Sequence, residues 1–135
     1  MVTDTAKEVQ LISDSLELYG EHHGDIAPRV YTRFFELNPE AATLMEYADE
    51  YMRGRMFASV LELFLSDEHL GPGGYLAWEL ENHIKAYSTT TAMYEGLFQS
   101  MRDVLDKDLG SDYRPEWQHA WSSRIARIME QVRQL

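Results

Sequence analysis

The apolar residues of this chain recur at helical spacing along almost its whole length. No segment shows the strict alternation of apolar and polar residues that a half-buried strand requires. Near the N-terminus, Val9, Ile12, Leu16 and Tyr19 are separated by steps of three or four residues, which places them on one face of a helix. The pattern predicts an all-α fold. A chain of 135 residues can bury a core without disulfides, so we expect a single domain over residues 1–135.

Glycine and proline divide the pattern into seven predicted helices. The first is capped by Thr3 or Asp4 and ends near residues 20–24, and the second extends from about residue 25 to residue 38. Pro39 then opens a short third helix, because a proline disfavours helical geometry in the residue before it. The other four are predicted over about residues 50–66, 75–87 and 92–109, and from Pro115 onwards. A short third helix among longer ones does not fit an up-and-down four-helix bundle.

Charge and composition exclude several classes of function. The chain has 12 basic and 23 acidic side chains and a formal net charge of −11, which opposes attachment to nucleic acid or anionic lipid. It has no cysteine, which excludes zinc–thiolate sites, iron–sulfur clusters and thiol catalysis. Residues 1–8 lack the features of a signal peptide, and the most apolar run, residues 56–65, is too short to span a membrane. We therefore expect a cytoplasmic protein without a nucleic-acid or membrane partner.

One histidine, His83, has apolar neighbours within the predicted helix over residues 75–87. A neutral imidazole is a strong axial donor to haem iron, and a helix packed against a porphyrin can direct such a nitrogen at the metal. An isolated histidine on a half-apolar helix is more often structural than functional. The spacing alone therefore leaves both roles open.

Three stretches together resemble the globin family, in the form found in bacterial single-domain haemoglobins and in the haem domain of flavohaemoglobins. Residues 30–40, VYTRFFELNPE, resemble the end of the globin B helix and the proline that opens the C helix. Residues 82–87, NHIKAY, followed by Met93 and Tyr94, resemble the proximal-histidine segment and the start of the G helix. Ala120 and Trp121, shortly after an Arg-Pro helix start, resemble the opening of the H helix. The resemblance spans about residues 8–130 and implies a globin fold of about seven helices around a haem pocket.

The resemblance implies that His83 is the proximal ligand of a haem b group. Its second ring nitrogen would then donate to a backbone carbonyl one turn earlier, near Glu79 or Leu80. Tyr94 matches a tyrosine that reinforces the proximal side of the haem in flavohaemoglobins. The further predicted haem contacts on this and the following helix are Leu80, Tyr87, Leu97 and Met101.

On the opposite side of the haem, the resemblance implies that Tyr31 donates a hydrogen bond to dioxygen. The alternative is a buried tyrosine whose hydroxyl is satisfied by the backbone. On the facing helix, either Met52 or Arg53 would occupy the distal gate position, and either Met56 or Phe57 the apolar position over the iron. The alignment of this helix with the globin pattern leaves these two choices, which differ by one residue. Where globins carry a phenylalanine stacked on the haem this sequence has Met45, and Tyr47 would replace it after a small shift.

The implied function is reversible binding of dioxygen, and of other diatomic gases such as nitric oxide and carbon monoxide, at a histidine-ligated iron. Any oxidation of nitric oxide would need an external reductase, because the chain is too short for the flavin domain of flavohaemoglobins. We predict no catalytic residue. The alternative, of another class, is a regulatory or sensor module that has the globin fold with or without haem. His83 together with Tyr31 separates the two, since a haem-free module needs neither an iron ligand nor a facing donor.

Overall fold

The computed structural model describes residues 4–65 and 90–134, and these residues are all-helical, with no β-strand in that part of the chain. The all-α prediction is therefore confirmed. The helices are α1 (Asp4–His23), α2 (Ala27–Leu37), α3 (Pro39–Leu44), α4 (Glu50–Leu65), α5 (Thr91–Leu109), a 3-10 helix (Gly110–Asp112) and α6 (Pro115–Arg133). The helix predicted over residues 75–87 lies outside the described residues.

Proline, glycine and a threonine cap set the helix boundaries. Pro39 and Pro115 each occupy the first turn of their helix, where a missing N–H group costs nothing. Thr90 caps α5, because its side-chain oxygen accepts a hydrogen bond from the Met93 N–H at 3.2 Å. Gly110 ends the same helix with a φ of +54°, a conformation that glycine adopts without steric cost. The sequence predicted Pro39 and Pro115 as helix starts and an end near residue 109, and all three boundaries are confirmed.

Helix α2 packs along α5, and α1 packs along α6. Helix α5 also contacts α6, and α4 contacts both α1 and α2. At the centre, the buried indole of Trp121 donates its Nε1–H to Ser15 Oγ at 2.8 Å and lies 4.9 Å from the Phe64 ring, measured between centroids. Helices α1, α4 and α6 therefore meet around one aromatic core.

A buried arginine joins α6 to the end of α4. The guanidinium of Arg124 is fully buried and donates from Nε and Nη2 to the Leu63 carbonyl, at 3.0 and 2.8 Å. Leu63 is one of the last residues of α4 that the structure describes. The two hydrogen bonds therefore connect α6 to α4 within the core.

A second polar junction joins α1, α2 and the end of α5. The carboxylate of Asp108 accepts a hydrogen bond from the Tyr19 hydroxyl at 2.5 Å and two from Arg29, at 2.5 and 3.0 Å. Burial raises the pKa of Asp108, but the hydrogen bonds from Arg29 and Tyr19 outweigh this effect and lower it below its ordinary value. The carboxylate is therefore held in its charged form.

Candidate functional site

Tyr31 lies where α2 faces α4. Its ring is buried between Phe35, one turn further along α2, and Phe57 of α4, with ring centroids 5.9 and 6.1 Å away. Burial raises the pKa of the Tyr31 hydroxyl to about 12, although the nearby charge of Arg53 opposes the shift. At neutral pH the side chain is therefore a protonated hydrogen-bond donor in apolar surroundings.

The Tyr31 hydroxyl donates to the backbone carbonyl of Arg53 at 3.0 Å. This is the alternative that the sequence left open, a buried tyrosine satisfied by the backbone. Arg53 lies inside α4, so its carbonyl is also positioned to accept the regular helical hydrogen bond from the N–H four residues later. The bond from Tyr31 is then a second bond to the same oxygen. Turning the hydroxyl towards another acceptor would leave no backbone group without a partner.

The guanidinium of Arg53 turns towards α2 and the corner after α3. It lies over the Phe35 ring, 5.0 Å from the centroid, and donates from Nη2 to the Met45 carbonyl at 3.1 Å. Its Nε–H is buried and finds no acceptor among the described residues. The site therefore holds a positive charge beside the neutral Tyr31 donor, and the buried Nε–H of Arg53 has no acceptor in the described part of the chain.

The structure brings Arg53 and Phe57 together with Tyr31, rather than Met52 and Met56. Phe57 is only 3% exposed and contacts the Tyr31 ring. By contrast, Met52 and Met56 are 50% and 39% exposed on a neighbouring stripe of α4. Their thioether side chains thus offer apolar surface at the edge of the cluster.

The other predicted site residues are more widely distributed. Met45 lies at the end of α3 with a partly buried side chain, whereas Tyr47 is 91% exposed and does not pack on the cluster. Leu97 and Met101 are buried on α5, and Tyr94 of the same helix is partly buried 6.5 Å from Phe98, between ring centroids. His83, Leu80 and Tyr87 lie outside the described residues.

The residue of this cluster that sequence reasoning did not single out is Phe35. It supplies the ring on which Arg53 lies, and it also contacts Tyr31. The available signal was its spacing, because residues four apart on a helix are neighbours on its surface. A phenylalanine one turn after a candidate tyrosine was therefore a foreseeable member of the site.

A separate groove of about 490 Å³ is formed mainly by α5 and α6, with Gly96, Arg102, Ile125 and Met129 among its lining residues. None of the predicted site residues lines it. Within the described ranges, no three His, Asp or Glu side chains are grouped so as to hold a metal ion. Nor is any helix there both long enough and apolar enough to cross a bilayer.

Comparison with known proteins gives no family assignment. The chain matches no protein-family model, and a search of curated proteins finds no significant match. The features that bear on function are therefore the sequence pattern and the geometry around Tyr31.

Proposed function

We propose that this chain is a haem-binding globin that reversibly binds dioxygen and other diatomic gases. His83 would be the iron ligand, and Tyr31 would be the hydrogen-bond donor on the opposite side. The observation that carries the proposal is the Tyr31 hydroxyl, which is buried between two aromatic rings and donates to a helical carbonyl that does not depend on it. Such a group can donate to a ligand at little cost.

The order and lengths of the described helices support this proposal. A short helix opened by Pro39 stands third, and α4 lies against α2. This contact sets Tyr31 beside Arg53 and Phe57, three of the residues that the globin resemblance implied for the distal side.

The residues around Tyr31 fit a haem group chemically. A porphyrin needs a broad apolar surface with few polar groups; Met52 and Met56 offer exposed apolar side chains for it, next to the buried Phe57. Bound haem would supply an iron position for a diatomic gas, with His83 as its protein ligand. The chain itself supplies the neutral Tyr31 donor and the positive charge of Arg53.

The two aromatic rings determine how strongly Tyr31 acts. Phe35 and Phe57 limit access of water to the hydroxyl, and a hydrogen bond in such surroundings is stronger than the same bond in water. Because its pKa is about 12, the phenol keeps its proton throughout the physiological range. Tyr31 would therefore favour ligands that carry partial negative charge.

The rates of ligand dissociation test this function. A phenolic donor to dioxygen contributes about 1 to 3 kcal/mol, so Tyr31→Phe should speed oxygen dissociation from the haem-loaded protein by about five- to a hundredfold. Carbon monoxide accepts hydrogen bonds poorly and should be affected much less. Stopped-flow displacement of both gases gives the two rates.

Tyr47→Phe is the matched control, because it removes the same hydroxyl from a side chain that is 91% exposed. It should leave both rates unchanged. Equal acceleration of both gases in Tyr31→Phe would indicate a loosened pocket and would exclude the proposed role of Tyr31.

The second candidate function is a regulatory or sensor module with the same fold and without haem. The observation that favours it is that the Tyr31 hydroxyl has an acceptor within the protein, the Arg53 carbonyl, and so does not require an external one. Haem binding by the folded chain distinguishes this candidate from the first.

A further inference from the structure

Exposed apolar side chains are concentrated in one part of the described chain. The described residues include seven large apolar side chains that are exposed. Five of the seven lie between residues 44 and 56, where α3 ends and α4 begins. We call these five the apolar patch: Leu44, Tyr47, Tyr51, Met52 and Met56. Scattered exposed apolar residues are normal, whereas a contiguous group marks a surface used for interaction.

The two tyrosines of the patch contribute little to the core. Tyr47 is 91% exposed and Tyr51 is 73% exposed, so most of each ring is in contact with water. Tyrosine is also among the residues that contribute most to binding energy at protein interfaces. These two residues are therefore suited to contact a partner rather than to stabilise the fold.

Acidic residues are interleaved with the patch. Glu46, Asp49 and Glu50 are all exposed and lie between Tyr47 and Tyr51 or next to them in the sequence. Of the two arginines in residues 44–56, Arg53 turns inward onto Phe35, and Arg55 lies with its guanidinium 5.9 Å from the Tyr51 ring. The outer surface of this segment thus combines apolar side chains with three exposed carboxylates and one exposed guanidinium, that of Arg55, and its net charge is negative.

The negative charge around the apolar patch limits which kind of partner can bind to it. Two copies of the chain joined through the patch would bring their acidic residues together, and each copy already carries a net charge of −11. Nucleic acid and anionic lipid would be repelled for the same reason. A protein with basic residues around an apolar centre matches both the charge and the exposed rings.

We propose that the apolar patch is a docking surface for a basic protein. The apolar centre of the partner would contact Tyr47 and Tyr51, and its lysine or arginine side chains would face Glu46 and Glu50. Met52 and Met56 are the patch residues that the proposed function assigns to haem, whereas Tyr47, Tyr51, Glu46 and Glu50 are not, so this contact is testable whether or not the chain binds haem.

Cytochrome c serves as the basic probe, and cytochrome c with acetylated lysines serves as the same fold without the charge. Binding to the full chain is measured by calorimetry at low ionic strength, where attraction between surface charges is least screened. We expect binding of cytochrome c that weakens with added salt, and none of the acetylated form.

Two charge-reversal variants separate docking at the patch from attraction to the whole molecule. Glu46→Lys with Glu50→Lys changes the patch, whereas Glu17→Lys with Glu21→Lys makes the same change at exposed positions of α1. We expect the first pair to weaken binding at least about tenfold and the second pair about threefold or less. Equal losses would overturn the proposal, because net charge alone would then explain binding.

Tyr47→Ala with Tyr51→Ala tests the apolar contact without changing charge. Because both rings are largely exposed, the variant should keep the helical circular-dichroism spectrum of the parent, and it should bind cytochrome c about tenfold more weakly. Unchanged affinity, absence of binding by the parent, or a dimer in sedimentation that this variant dissociates would each overturn the proposal.

Discussion

Gly96 of α5 lies directly against the side-chain amide of Asn38. A Cβ atom on Gly96 would come within 1.7 Å of Asn38 Oδ1, a distance that no real contact allows. Asn38 is buried at the corner between α2 and α3, and α2 packs along α5. The absence of a side chain at position 96 therefore permits the close approach of this corner to α5.

Gly96→Ala should destabilise the protein by about 1 to 3 kcal/mol, the usual cost of adding a group to a well-packed site. This sign is opposite to that expected from helix propensity, since alanine is favoured over glycine inside a helix by about 1 kcal/mol. Denaturant unfolding followed by circular dichroism measures the change.

Gly54→Ala is the control, because a Cβ on Gly54 in α4 would meet nothing within 4 Å. That substitution should be neutral or stabilising. In an Asn38→Ala background, Gly96→Ala should lose its destabilising effect, because the clashing Oδ1 is removed. If the cost of Gly96→Ala persisted there, the Asn38 side chain would not be its cause.

Because the pKa of Tyr31 is raised in the fold, the stability of the protein should change with pH in the alkaline range. Its pKa is 10.0 in an ordinary environment and about 12 in the fold, so the folded state holds this proton more tightly. Its contribution is fully present below about pH 10 and is lost as pH rises towards 12. The free energy of unfolding of the parent, minus that of Tyr31→Phe, should therefore fall across this range.

Measurement of both proteins by urea unfolding at several pH values between 8 and 12 isolates this effect, because the other tyrosines are common to the two. An absorbance titration of the phenolates should show one fewer late ionisation in Tyr31→Phe. A difference in unfolding free energy that stayed constant with pH would show that Tyr31 is not buried as described.

The hydrogen bonds to Asp108 should make the stability of the protein change with pH in the acid range. Because the hydrogen bonds from Arg29 and Tyr19 outweigh burial and lower the pKa of Asp108, its contribution to stability is present above the ordinary value of 3.8 and is lost at more acid pH. Asp108→Asn should destabilise the protein at pH 7, and the difference from the parent should shrink as pH falls below about 4.

Asp112→Asn provides the comparison, since Asp112 is exposed in the 3-10 helix after α5. We expect that variant to match the parent at pH 7. Thermal unfolding followed by circular dichroism at pH 7 and at pH 3 measures both, and an equal loss from the two variants at pH 7 would exclude a special role for Asp108.

The sequence predicted the helical class and many boundaries because those depend on local chemistry. Pro39 and Pro115 determine where helices begin through their own geometry, and Gly110 ends α5 for the same kind of reason. Apolar periodicity similarly identifies which face of a helix is buried. None of these features requires knowledge of a distant residue.

The details of the site were less predictable because they depend on how helices are placed against each other. Periodicity gave α4 a broad apolar face, but only its rotation relative to α2 sets Arg53 and Phe57, rather than Met52, beside Tyr31. The acceptor of the Tyr31 hydroxyl likewise lies 22 residues away in the chain. Contacts of this kind are tertiary, and the sequence pattern alone does not determine them.

The most direct test of the proposed function is a haem titration of the purified chain, followed by absorption. We expect saturation at one haem per chain with an intense band at about 400 to 420 nm, where histidine-ligated b-type haems absorb. His83→Ala should lose or severely weaken this binding, while His119→Ala, at an exposed position of α6, should retain it. A folded parent that took up no haem, or a His83→Ala variant that bound it as tightly as the parent, would contradict the proposal that His83 ligates haem iron.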